Sequence, residues 1–175
     1  MHKSYPKQYY FINNFDKEII QKQSKKTCLI YRNYKNKINI DELMKIRDLC
    51  KKLKLKLILS NNIKCALKLG LDGAYIPSFN NEIRHLSYSL PLNFLLIGSA
   101  HNLKEIKQKE FQKVNMIFIS PIFKKKKNYL GLYKFKLMSK LSLKKVIALG
   151  GISKKNIKKL NLTNCIGFAG ISYFE

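Results

Sequence analysis

Tryptophan is absent from this chain of 175 residues, arginine occurs only at positions 32, 47 and 84, and acidic residues number ten. No apolar run approaches the roughly 20 residues needed to cross a bilayer. Met1-His2-Lys3-Ser4 lacks the charged-then-apolar pattern of a signal peptide, so the sequence reads as cytoplasmic, with no membrane partner. The four cysteines, Cys28, Cys50, Cys65 and Cys165, include no CxxC pair. Three of them sit in apolar strand or helix patterns as small core residues, which argues against zinc and against disulfides. No G-x-G-x-x-G follows the first strand-like run, which weakens a dinucleotide reading.

The shortage of acid leaves a formal net charge of +25. A basic surface can serve nucleic-acid binding. Readers of nucleic acid favour the planar fork of arginine, however, and here nearly every cation is a lysine. Lysine is spread along every helical segment rather than gathered in one arm. The charge therefore reads as compositional bias, with nonspecific attraction to polyanions as its consequence.

What is present centres on Val146-Ile147-Ala148-Leu149-Gly150-Gly151-Ile152-Ser153. Four apolar residues run into a glycine pair, and a helical pattern from Lys154 to Leu160 follows. The stretch predicts a buried parallel strand, a tight turn and a helix start capped by Ser153. Bare N–H groups at such a turn suit a phosphate. One strand later, Gly167-Phe168-Ala169-Gly170-Ile171-Ser172 repeats the small-residue strand end. Two such ends after the last two strands mark the phosphate site of a (β/α)8 barrel.

The rest of the chain supports that architecture. Strands are predicted at Tyr9–Asn13, Thr27–Arg32, Leu55–Leu59, Asp72–Pro77, Leu92–Ile97 and Val114–Ile119, before the two already described. Helices are predicted at Asn14–Gln23, Asn39–Leu53, Ile63–Leu69, Asn80–Ser87, Asn102–Glu110 and Tyr133–Lys140. Strand–helix alternation demands parallel pairing with right-handed crossovers, and eight units close a barrel. The fold class is α/β, a compact (β/α)8 TIM barrel, short against the usual ~250 residues. Residues 1–8 form an N-terminal extension and 9–175 a single barrel domain. The last outer helix is missing or a stub, so the aromatic segment Tyr5–Tyr10, or a partner subunit in a homo-oligomer, is expected over that wall.

The active site of this fold lies at the C-terminal strand ends. Those ends read Asn13, Arg32, Ser60-Asn61, Pro77-Ser78, Ser99 to His101, Ser120-Pro121, Gly150-Gly151 and Gly170 to Ser172. The rim is small and polar and carries no carboxylate. A general-base Asp or Glu, and a carboxylate-held metal, are disfavoured, whereas a phosphorylated, anionic ligand is favoured. His101 has two readings, an acid/base or a hydrogen bond to the barrel rim. Arg32 likewise reads as a ligand contact or as a structural ion-pair partner.

The order of these strand ends resembles the thiamine-phosphate synthase/TenI superfamily, from Tyr9 to Ser172. Ala66-Leu67-Lys68-Leu69-Gly70-Leu71-Asp72-Gly73-Ala74-Tyr75 resembles the family's A-L-x-x-G-A-D-G-V-H. Ser99-Ala100-His101 resembles S-x-H, Ser120-Pro121-Ile122-Phe123 resembles G-P-V-F, and Ala148-Leu149-Gly150-Gly151-Ile152 resembles A-I-G-G-I. The resemblance implies a transferase of thiamine biosynthesis that joins an aminopyrimidine methyl diphosphate to a thiazole phosphate and releases diphosphate. It implies Arg32 and Ser99 as catalytic contacts to the diphosphate, and Gly150, Gly151, Gly170, Ile171 and Ser172 as the cradle of the thiazole phosphate. Asn61 joins the substrate contacts.

The departures carry their own expectations. The family's two magnesium-binding aspartates read Asn61 and Asn80 here. Asparagine keeps a carbonyl oxygen but loses the charge, so Mg2+ affinity falls. Lys125 and Lys127 stand where the loop after strand six has threonines, and Asn128 where it has a lysine. Those two lysines are either a substitute clamp for diphosphate or part of the lysine bias. Tyr34 stands at the family lysine after strand two, with Lys35 adjacent. The tautomerase branch places a catalytic histidine where this chain has Pro121, which follows the synthase pattern. Three functions follow: the synthase reaction, a TenI-like thiazole-phosphate binder or isomerase without it, and a basic nucleic-acid-associated protein.

Overall fold

The computed structural model describes residues 5–34, 38–125 and 128–174. Eight parallel strands close into one barrel in sequence order. They are β1 (Gln8–Ile12), β2 (Thr27–Tyr31), β3 (Lys56–Ser60), β4 (Gly73–Ile76), β5 (Leu95–Ala100), β6 (Met116–Ile119), β7 (Lys145–Leu149) and β8 (Gly167–Gly170). The helices between them are α1 (Lys17–Gln21), α2 (Ile40–Leu53), α3 (Ile63–Lys68), α4 (Leu103–Phe111) and α5 (Gly131–Leu141). This is the expected (β/α)8 barrel. Asp16, Asn39, Asn62 and Asn102 cap the first four helices, each side chain accepting from a first-turn N–H. No helix among the described residues is long and apolar enough to cross a membrane.

Two predicted helices form differently. Asn80–Ser87 supplies only a 3-10 turn at Arg84–Ser87, and Lys154–Leu160 becomes turns followed by a 3-10 segment at Ile157–Leu162. Ser153 does not cap through its side chain. Its N–H donates instead to the Asn156 carboxamide at 2.9 Å, and the Asn156 amide reaches back to the Gly151 carbonyl at 2.8 Å. The Asn156 side chain thus competes with helical bonding of this backbone, as short polar side chains do.

Strand alternation divides the core in two. One set, including Leu29, Leu57, Leu96 and Ile117, packs under the helices, and the other fills the barrel. Inside, Tyr9, Phe11, Tyr75 and Phe118 form an aromatic plug with ring centroids 5.1 to 6.1 Å apart. Such pairs each contribute about 0.5–1.5 kcal/mol beyond the area they bury. The Tyr9 hydroxyl finds Met116 Sδ at 3.1 Å.

The wall outside β8 and β1 is covered from the other end of the chain. Beyond β8, a turn at 171–174 folds Tyr173 onto Phe168 at 4.6 Å and stacks Phe174 on Tyr10 at 4.8 Å. The N-terminal segment lies lower: the Lys7 carbonyl accepts from Phe168 N at 2.9 Å, and Tyr5 sits under the Lys145 ammonium at 4.8 Å.

Candidate functional site

Period-two alternation carries the barrel-filling face of each strand one residue further, to its C-terminal end. Beyond Cys28 and Ile30 comes Arg32; beyond Ile58, Ser60; beyond Ile97, Ser99; beyond Phe118, Ser120; and beyond Ile147, Leu149. These residues, except Ser60, line a cavity of about 330 Å³ at the barrel mouth, with Tyr34, Pro77, Phe79, His101, Lys124 and Gly150 on its walls and Tyr75 at its floor. The plug below makes the cavity a cup, not a pore. Among the described residues, its charged wall residues are Arg32 and Lys124, and no carboxylate lines it. Flanking hollows hold one carboxylate each, Asp16 and Glu82. The Asp16 carboxylate is engaged in capping α1.

Arg32 is half-buried, with its guanidinium carbon 4.4 Å above the Phe11 ring and 6.0 Å from that of Tyr34. It makes no ion pair among the described residues. An arginine held over an aromatic face keeps its fork of donors for an incoming anion. Ser99 is buried in the cavity wall. Burial raises the pKa of the neighbouring Tyr75, and the Ser99 hydroxyl offsets part of that rise. Tyr34 shares a hydrogen bond with Ser60 at 2.8 Å. Burial raises its pKa too, while the Ser60 bond and the Arg32 charge act the other way. His101 bonds the barrel rim: Nδ1 lies 2.9 Å from the Ser120 carbonyl and 3.1 Å from its hydroxyl.

The glycine pair after β7 is a joint between two loops. Gly150 and Gly151 have φ of +100° and +78°. A β-carbon on Gly150 would stand 2.8 Å from Pro121, and one on Gly151 would stand 2.5 Å from Lys124 N. The Gly150 carbonyl accepts from Phe123 N at 2.8 Å and Lys124 N at 3.1 Å. The pair therefore fixes the loop that brings Lys124 to the cavity. The N–H groups of Gly151, Ile152, Ile171 and Ser172 donate to no acceptor among the described residues. A β-carbon on Gly170 would approach nothing closer than the Ile152 carbonyl, at 3.9 Å. Two strand ends with open donors thus lie side by side, a geometry that can receive a phosphate. Ile171 itself lines the hollow shared with Asn13 and Arg32.

Asn61 and Asn80, 19 residues apart in sequence, are brought together. Asn80 Nδ2 donates to Asn61 Oδ1 at 2.6 Å, and Asn80 Oδ1 accepts from Glu82 N at 2.8 Å. Asn61 holds a left-handed φ of 60°, which asparagine tolerates. Behind Asn80 sits Lys109, a fully buried lysine of α4. Its Nζ donates to the Asn80 carbonyl at 2.6 Å and to Gln112 Oε1 at 2.9 Å. Gln112 adds bonds to the Asn80 and Glu82 carbonyls at 3.0 and 2.8 Å. Burial pulls the Lys109 pKa down to about 8, against a smaller opposing pull from Glu105. The donor set does not fit magnesium, which wants carboxylate or phosphate oxygens. Both carboxamide oxygens are already occupied by N–H donors, and no cluster of three His, Cys, Asp or Glu exists among the described residues.

Of the remaining residues named from sequence, Lys125 is exposed and does not line the cavity, Lys127 lies outside the described residues, and Ser172 is exposed beside Gly170. Sequence reasoning missed Lys124, Lys109 and the Tyr34–Ser60 pair. Lys109 follows Ile106 by three residues, on its buried face, and its stem fills the space left by Gly98, where a β-carbon would lie 2.9 Å from it. In a chain so rich in lysine that signal is invisible.

The family pattern described as thiamine monophosphate synthase matches residues 15–174. A putative thiamine-phosphate synthase 2 of Aquifex aeolicus is 33% identical over 133 residues, covering 74% of this chain and 71% of that protein. The thiamine-phosphate synthase of Persephonella marina is 26% identical over 152 residues, covering 83% and 73%. Among solved structures, a thiamine phosphate pyrophosphorylase from Pyrococcus furiosus superposes with a TM-score of 0.75 at 18% identity, over 95% of this chain and 86% of that one, a likeness of fold.

Proposed function

This chain belongs to the thiamine monophosphate synthase family, and on that premise we propose that it joins an aminopyrimidine methyl diphosphate to a thiazole phosphate. The observation that carries the proposal is a barrel-mouth cavity lined by two cationic side chains, with no carboxylate among its described lining residues, next to strand ends with open N–H donors. Arg32 and Lys124 both line the cavity, the open N–H groups at 151–152 lie beside Lys124, and Ile171 shares a hollow with Arg32. The substrates are phosphorylated small molecules, each held by its anionic end.

The reaction needs what such a site supplies. The thiazole nitrogen attacks the exocyclic methylene of the pyrimidine, and a C–N bond forms as the C–O bond to diphosphate breaks. The leaving diphosphate takes the bonding electron pair, and the product nitrogen carries the new positive charge. No proton moves in this step, so the missing carboxylate at the cavity costs nothing. The phosphate turns fix the thiazole in line with the methylene, a proximity effect. The Arg32 fork and the buried Ser99 hydroxyl stabilise charge growing on the departing diphosphate. Pro121 closes the wall against Gly150, where the tautomerase branch has a histidine.

A second reading is favoured by one observation, the closed Asn61–Asn80 pair where relatives carry aspartates. On that reading the chain binds thiazole phosphate without joining it. Purified protein given both phosphorylated precursors separates the two. Thiamine phosphate formation, lost on Gly151→Asp, supports the synthase. No product, with thiazole-phosphate binding that Gly151→Asp abolishes, supports the binder.

A further inference from the structure

We infer that this chain binds the diphosphate end of its substrate without a divalent cation, the metal's place being closed by the Asn61–Asn80 carboxamide pair and its charge supplied by Arg32 and Lys124. The inference rests on the synthase reading for the identity of the anion.

Three observations carry it. First, the pair is locked. Asn61 Oδ1 and Asn80 Oδ1 each already accept a hydrogen bond, and neither carries the negative charge with which a carboxylate would hold a cation. Second, the lock is held from behind. Lys109 and Gln112 both donate to the Asn80 backbone carbonyl, and Gln112 also bonds the Glu82 carbonyl, so part-buried hydrogen bonds fix the backbone that sets Asn80 against Asn61. The local field also opposes a cation: the Lys109 ammonium lies next to the pair, and Lys64 and Arg84 line the hollow of about 130 Å³ onto which it opens, against the single carboxylate of Glu82. Third, among the described residues the cavity beside it holds cationic side chains and no carboxylate, the charge pattern of a site that binds a bare anion. An ammonium and a guanidinium can neutralise diphosphate through charge-assisted bonds where a metal would otherwise bridge its oxygens.

The test uses metal-stripped native protein and inorganic pyrophosphate in equilibrium dialysis, with chelator or with magnesium. The inference expects saturable binding in chelator, changed less than about twofold by magnesium and weakened about tenfold or more by Arg32→Ala. Manganese alone, followed by electron paramagnetic resonance, should find no tight site on the native chain. The double variant Asn61→Asp/Asn80→Asp, with its two carboxylates facing each other, should gain manganese binding and melt higher when manganese is added. Pyrophosphate binding that requires magnesium, or tight manganese binding by the native chain, overturns the inference and leaves the synthase reading standing. No pyrophosphate binding under either condition overturns both.

Discussion

The backbone N–H of Lys124 donates to the Gly150 carbonyl at 3.1 Å, and a β-carbon on Gly151 would stand 2.5 Å from that same nitrogen. One contact thus ties the turn after β7 to the loop after β6, and ties the glycine turn to the lysine that lines the cavity.

Alanine at position 151 should break this joint. The residue needs φ of +78°, which a side chain disfavours, and its β-carbon meets backbone with no room to yield. Strain of this kind costs about 1–3 kcal/mol. In a domain of this size that lowers the melting temperature by roughly 2–10 °C. Because Lys124 moves with the loop, Gly151→Ala should also weaken pyrophosphate binding, which a purely local defect in the cradle would leave alone. Melting curves and dialysis on one preparation check both.

Arg32→Ala should separate binding from folding. The guanidinium rests on Phe11 at 4.4 Å and has no carboxylate partner among the described residues, so its removal loses one cation–π contact, about 0.5–2 kcal/mol. The diphosphate substrate should lose far more, with KM rising at least about tenfold. Arg32→Lys keeps the charge without the fork and should fall between the two. Steady-state kinetics against the diphosphate substrate, with melting curves alongside, test the split.

The barrel was legible in sequence because each strand is a short apolar run ended by a small or polar residue, and because glycines and asparagines punctuate the helices where the structure has caps. Arg32, Ser99 and Gly150 were legible as cavity residues for the same reason, since a strand end in this fold is a site position. The segments at 80–87 and 154–160 read as helices in the sequence, because their apolar spacing fits a helix, while the side-chain bonds of Asn80 and Asn156 give the backbone another partner. Lys109 and Lys124 could not be picked out, since nothing in spacing separates one buried or cavity-lining lysine from its many solvated neighbours. For the wall outside β8 the sequence offers the N-terminal aromatics or a partner subunit; of those aromatics Tyr10 takes part, stacked on Phe174.

That aromatic wall gives a third prediction. Phe174→Ala should strip the ring from Tyr10 and Phe168 and lower stability by about 1–3 kcal/mol, less than a fully buried phenylalanine because Phe174 is half-buried. Tyr173→Ala should cost less than that, and the double variant less than the sum, because the two rings also touch each other at 5.1 Å. Urea denaturation of the three variants measures the coupling.

Lys109 gives the last prediction, and its sign is fixed by burial. The folded chain holds this lysine at a pKa of about 8, below the ordinary value of 10.5. Below pH 8 both folded and unfolded chains carry the proton, and the cost of the buried ammonium is present in full. Between about pH 8 and 10.5 the unfolded chain keeps a proton that the folded chain has released. Stability from this group therefore rises with pH across that window. Lys109→Met keeps the stem that fills the space at Gly98 and removes the titration, but leaves Gln112 Oε1 without its donor. At pH 7 the variant should lose about 1–3 kcal/mol for that orphaned oxygen, offset by relief of the buried charge. On moving to pH 9.5 the native chain should gain on the variant by about 2 kcal/mol, since tyrosines that titrate higher are common to both. Paired urea titrations at the two pH values read the difference directly. A gap that stays constant with pH would mean the ammonium is not held in a desolvated site, and a gap that moves the other way would mean its neighbours stabilise the charge more than burial opposes it.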